Sequence, residues 1–184
     1  MRVAICSYGA GNTRSVQLAF ERLGVRAEVV ADAAGVLGAD LAVLPGVGSA
    51  GSAMAGLRRR GLDVALRERA DGERAILGIC LGLQLALDET EEDGGVEGLG
   101  LVPGRAVRLR GGRIPRIGWS EIDGGGETYW YAHSFVAETH AATATSEGLT
   151  AIVEHGSFTG VQFHPEKSGA AGVRFLAARC LSLA

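Results

Sequence analysis

The stretch "RAILGICLGLQLAL", residues 74–87, decides the fold. Its first half is a short apolar run of the kind that forms a fully buried strand. Its second half, after the cysteine, reads as a helix, and between the two stands Gly78-Ile79-Cys80-Leu81-Gly82. A strand that turns within two or three residues into a helix is one step of a β-α-β chain, and the residue at the turn is lifted out of the sheet edge. Cys80 therefore has two readings. It is core filler, as buried cysteines usually are, or it is a nucleophile whose sulfur sits at a helix N-terminus, where the helix dipole favours the thiolate.

The neighbouring segments extend the alternation. "RVAICSY" (2–8) reads as a buried strand. "NTRSVQLAFERLG" then places Val16, Ala19, Phe20 and Leu23 on one helical face, with Asn12 as a candidate N-cap and Gly24 as the stop. "RAEVVAD" (26–32) and "DLAVLPG" (40–46) are further strands, and a helical pattern runs from about Ala50 to Arg69. The expectation is an α/β protein with a flavodoxin-like open, mostly parallel sheet and helices on both faces. From Pro103 onward the chain changes to closely spaced strand-like pieces: "RAVRLRG", "IGWSEID", "TYWYAHSFVA", "ATATS", "LTAIVEHG" and "FTGVQF". These predict an added, partly antiparallel portion. A closing helix over about 170–183 points Val173, Phe175, Leu176 and Cys180 inward. The acidic stretch 87–100, "LDETEEDGGVEGLG", reads by charge alone as a solvated loop.

Composition sets limits. With 184 residues, 47% hydrophobic and 21% charged, the chain fits one globular domain, 1–184. A net charge of -3 gives no reason to expect nucleic acid or a membrane surface. The N-terminal apolar run is too short for a secretory signal and no run is long enough to span a bilayer, which predicts a cytoplasmic protein. Cys6, Cys80 and Cys180 show no CxxC or Cys/His ligand spacing, so neither disulfides nor a metal site is expected.

A thiolate nucleophile needs a base. In "GVQFHPEKS", Pro165 holds His164 extended directly after an apolar strand, so that His164 and Glu166 project to the same side. A carboxylate that orients an imidazole is the second half of a Cys-His-acid arrangement. "LPGVGSAG" (44–51) is a glycine-rich loop after another strand, suited to close backbone approach to a ligand. In an open parallel sheet, loops at the carboxyl ends of the strands line one crevice, which places "PGVG" beside Cys80.

Together, "PGVG", "GICLGLQ" and "GVQFHPEKS" resemble the signature segments of the class I, triad-type glutamine amidotransferases. "YGAGNTRS" (8–15), "PRIGWS" (115–120), "YAHSF" (131–135) and "HPEKS" are similar to the subgroup that serves as glutaminase subunit of imidazole glycerol phosphate synthase. The resemblance implies Cys80 as nucleophile, His164 as general base and then acid, and Glu166 as its orienter. It implies oxyanion donors at Leu81 and at Val47 or Gly48, and a glutamine pocket at Gly46, Gly48, Gln84, Glu92 and the backbone of His133, Ser134 and Phe135. It further implies no cofactor, and a cyclase partner with a (β/α)8 barrel, docked at Asn12, Ser15, Trp119 and Lys167 in a heterodimer, that receives ammonia. Arg116 and Ser120 depart from the family's usual P-H-I-G-W-N, Leu83 from a usual Met, and Trp130 and Phe135 stand at usual tyrosine positions. These departures are expected on the partner face or the pocket wall, and they leave open a related glutaminase feeding another acceptor, such as a surface sugar.

Overall fold

A computed structural model describes residues 1–9 and 11–183. The chain runs β1 (Arg2–Cys6), α1 (Thr13–Glu21), β2 (Arg26–Val30), α2 (Ala33–Leu37), β3 (Leu41–Leu44), α3 (Ala50–Arg59), α4 (Leu62–Asp71), β4 (Ile76–Ile79) and α5 (Leu81–Ala86). It continues through β5 (Glu89–Thr90), β6 (Val96–Glu97), β7 (Arg105–Arg108), β8 (Arg116–Glu121), β9 (Thr128–His133), β10 (Phe135–Glu138), β11 (Ala142–Ser146), β12 (Leu149–His155), β13 (Phe158–Val161) and α6 (Gly169–Leu181).

The central sheet has the order β11-β12-β13-β4-β3-β1-β2. The five strands from β13 to β2 are parallel, and β12 and β11 extend the edge antiparallel. Side chains alternate across this sheet as the pleat requires. Cys6, Ala42, Leu44 and Ile76 pack with α2 to α5 on one face. Val3, Ile5, Leu41, Val43, Leu77 and Ile79 pack with α1, α6 and the tyrosines of β9 on the other. Burial on both faces explains why these strands read as continuous apolar runs. A second sheet, β10-β7-β5-β6, packs beside α5, and β8 pairs with β9 as a separate hairpin. Among the described residues no helix is long and apolar enough to cross a membrane.

Several expectations are corrected. Asn12 stands at the N-cap position of α1 as expected, but its side chain makes no capping hydrogen bond. The helical stretch 50–69 is two helices, broken at Gly61 in the left-handed conformation (φ 66°), where a residue without Cβ carries no steric penalty. The five-residue α2 is too short to leave a periodic signal. Val173 on α6 is 39% exposed, whereas Phe175, Leu176 and Cys180 face inward as expected. The acidic stretch is ordered: it supplies β5 and β6 and, at Glu92–Gly94, a 3-10 turn. "TYWYAHSFVA" divides at Ser134 into β9 and β10, which belong to different sheets.

Candidate active site

Cys80 ends β4 and opens α5 with φ 52° and ψ −108°, a conformation sparsely populated by residues that carry a Cβ. The glycines beside it have a different task from the sharp turn itself. A Cβ at Gly82 would collide with the Leu44 carbonyl, one at Gly46 with the Gly82 amide and Leu81, and one at Gly78 with the Phe158 ring. They bring β3, β4 and the start of α5 together closely enough that the strain is left on the cysteine. The Cys80 amide donates to Val161 O at 2.7 Å, and its carbonyl accepts from Leu83 and Gln84. Cys80 is 6% exposed, with its sulfur at the floor of a cavity.

Two flanking strands deliver the other groups. β13 adjoins β4 and leads into His164, whose extended backbone (φ −105°, ψ 94°) agrees with the influence of Pro165. Glu166 reaches the same imidazole through a 3-10 turn at Pro165–Lys167 rather than by strand alternation. Its Oε1 lies 2.9 Å from His164 Nδ1, and both side chains are almost fully buried. Burial works to lower the imidazole pKa. Hydrogen bonding and charge attraction from Cys80 and Glu166 outweigh it, and the pKa is pushed up to about 9. On the other side of β4, β3 leads into Pro45, Gly46, Val47 and Gly48, with Gly48 at φ 101°. Among the described residues the amides of Val47, Gly48 and Leu81 donate to no protein acceptor.

These groups surround a cavity of about 290 Å³ lined by Gly46, Val47, Gly48, Cys80, Leu81, Gln84, Glu92, His133, Ser134, Phe135 and His164. The structure thus brings together every residue expected in the nucleophilic, oxyanion and substrate groups. Glu92 accepts the Ala50 amide at 2.9 Å through Oε2, and Asp93 accepts Gly51 at 2.9 Å, so the acidic stretch caps the start of α3. Burial raises the Glu92 pKa and the Ala50 amide partly offsets it.

Lys167, expected at a partner contact, also lines this cavity. Asn12 and Ser15 are half-buried, at the loop before α1 and on its first turn. Trp119 is 55% exposed on the hairpin, beside Ile117. The departures at Arg116 and Ser120 do not share that outer face. Along β8 they alternate with Ile117 and Trp119, and both turn toward Glu147, Ser120 at 2.7 Å and Arg116 at 3.4 Å. Leu83 is wholly buried, and Phe135 is in the pocket wall.

Two residues escape sequence reasoning. Gln162 is fully buried, donates to Cys80 Sγ at 3.5 Å and accepts from Gln84 Nε2 at 3.1 Å. Ser168 accepts from the Trp130 amide at 2.9 Å and donates to the His164 carbonyl at 2.6 Å, tying the base to β9. A glutamine inside the apolar "GVQF" was the available signal for the first. Cys6 and Cys180 are buried free thiols in the core, and burial pushes Cys6 up to about 12.

The family model described as "Glutamine amidotransferase class-I" matches residues 4–182. The chain belongs to the class I glutamine amidotransferases. Among curated members, "Imidazole glycerol phosphate synthase subunit HisH" of Symbiobacterium thermophilum is 43% identical, the match covering 96% of this chain and 92% of that one. The protein of the same name from Chlorobaculum tepidum is 42% identical over 95% of this chain and 96% of its own. A solved structure described as a glutamine amidotransferase superposes with a TM-score of 0.82 at 22% identity, covering 98% of this chain and 97% of that one. This likeness extends the fold of that glutamine amidotransferase over nearly the whole chain.

Proposed function

We infer that this class I glutamine amidotransferase is the glutaminase subunit of imidazole glycerol phosphate synthase, supplying ammonia for imidazole ring formation in histidine biosynthesis. One observation carries the chemistry: Cys80, strained at the end of β4, lies between the "PGVG" amides after β3 and the His164–Glu166 pair after β13.

His164, oriented through Nδ1 by Glu166, draws the thiol proton to its other nitrogen. The thiolate attacks the side-chain amide carbon of glutamine, and the negative charge that develops on oxygen is met by the amide of Leu81 and that of Val47 or Gly48. His164 returns the proton to the leaving nitrogen, the C–N bond breaks, and ammonia departs from a glutamyl thioester. Water then attacks that thioester with His164 as base, the C–S bond breaks, and glutamate leaves. Glu92 offers its free carboxylate oxygen to the substrate ammonium, and the His133–Phe135 backbone and Gln84 hold the rest. Gly46 and Gly48 let the loop backbone approach the substrate.

Ammonia is useful only if kept from water, which calls for a partner that receives it directly; the family resemblance makes that partner a cyclase subunit with a (β/α)8 barrel, bound as a heterodimer in the cytoplasm. The exposed Trp119 and Ile117 support a contact on the hairpin, with Asn12, Ser15 and Lys167 at its margin. The whole described chain forms one catalytic domain in this reading. Cys80→Ala is expected to abolish glutamine-dependent synthesis by the complex and to leave synthesis from added ammonium salt intact. Equal loss of both activities would contradict the reading.

A further inference from the structure

We propose that a groove beside the glutamine pocket binds a small phosphate ester. The sequence "RAVRLRGGRIPR", residues 105–116, carries five of the chain's arginines at the spacing R-x-x-R-x-R-x-x-R-x-x-R. β7, the following loop and the start of β8 gather all five around one concavity of about 420 Å³. Its floor is the small apolar cluster of Val107, Leu109, Val136 and Leu149. A cavity of this size holds a small molecule.

The arginines are not equivalent. Arg105 pairs with Glu138 at 3.2 Å. Arg116 is stacked over the Tyr131 ring at 4.3 Å and fixed to Ser146 at 2.9 Å and to Glu147 at 3.4 Å, so it forms a rigid wall. Arg108, Arg110 and Arg113 are exposed and, among the described residues, form no salt bridge. Three unpaired guanidiniums over an apolar floor, on a chain of net charge -3, match a ligand with several anionic oxygens at one end and an apolar or aromatic body. Their convergence on one concavity, rather than along a track, fits a single phosphate group better than a nucleic-acid backbone. The groove is distinct from the site of glutamine chemistry, although Arg116 lies directly across the hairpin from His133, which lines that site.

The test is calorimetric titration of the full chain with phenyl phosphate, inorganic phosphate and a single-stranded oligonucleotide, without glutamine. Phenyl phosphate is expected to bind one to one and more tightly than inorganic phosphate. Arg108→Gln with Arg113→Gln should weaken it by about tenfold or more. The same neutralisation at Arg59 and Arg60, on the exposed end of α3, should leave it unchanged, and circular dichroism checks that each variant is folded. The proposal is overturned by no saturable binding at about 10 mM, by equal loss in the Arg59 and Arg60 variant, by equal affinity for inorganic phosphate, or by preference for the oligonucleotide.

Discussion

His133 ends β9 and His164 follows β13, and both are almost fully buried, yet their surroundings drive their protonation in opposite directions. At His133, burial dominates and holds the pKa down to about 4, with the positive charge of Arg116 acting the same way. Its Nδ1 faces the Phe135 carbonyl at 2.9 Å, so the neutral ring donates there. The unfolded chain binds this proton near pH 6.5 and the folded chain does not. Stability therefore falls as pH drops from about 6.5 to 4. For His164 the folded value is raised, so its contribution is complete below about 6.5 and is lost as pH climbs through 9. Each shift corresponds to about 3 kcal/mol across its window. Urea unfolding is expected to show maximal stability near pH 6.5, and His133→Gln to flatten the acid limb alone. An unchanged acid limb in that variant would show that another group controls it. Glu166→Gln removes a charge that holds the His164 proton. Glutamine turnover by the complex should drop about a hundredfold or more, measured as glutamate release, while ammonium-dependent synthesis persists.

Between elements, the most telling contact is Arg69, which no pattern in the sequence marks. From α4 its guanidinium donates to the carbonyls of Val36, Ala39, Asp40 and Ala75 at 2.8 to 3.1 Å, and the side chain is wholly buried. It joins the end of α2, the turn into β3 and the entry to β4, and burial lowers its pKa to about 10. Arg69→Met would leave these carbonyls without their donors, at a cost of roughly 3 kcal/mol or more. Arg69→Lys should recover only part of this, because an ammonium cannot span the fork; urea midpoints of the two variants measure the difference. Such a residue is illegible in sequence because its partners lie up to 33 positions away and are backbone groups. The strand-loop-helix at Cys80 is legible because its signals are local: an apolar run that ends in a cysteine set between two glycines. Glu92 lies between these cases. By charge alone it read as solvated and only the family resemblance pointed it at the pocket; its docking at the start of α3 is what brings it to the cavity wall.

At the scale of the whole molecule, the parallel sheet was readable because strands buried on both faces have no polar alternation. The three-sheet arrangement was not, since the division of "TYWYAHSFVA" between hairpin and second sheet rests on tertiary pairing. That division sets up the partner contact proposed above. Among the described residues β8 and β9 form a strand ladder only with each other, Ile117 and Trp119 are 62% and 55% exposed, and Arg116 and Ser120 are anchored to Glu147 on the opposite side. The hairpin therefore presents a fixed apolar edge at the mouth of the cavity over Cys80, which Ile117 also lines. The chain's two tryptophans, Trp119 and Trp130, are cross-strand partners on it, in edge contact at 5.8 Å. Tryptophan fluorescence of this chain, excited at its red edge where tyrosine does not absorb, consequently reports this hairpin. Docking of the cyclase should shift the emission to the blue as Trp119 leaves water. Trp119→Ala should weaken the complex by about 2 kcal/mol, near thirtyfold, with little change in urea stability of the isolated subunit. An unshifted emission on complex formation, together with unchanged affinity in the Trp119 variant, would move the partner contact to another face and leave the Cys80 chemistry where it is.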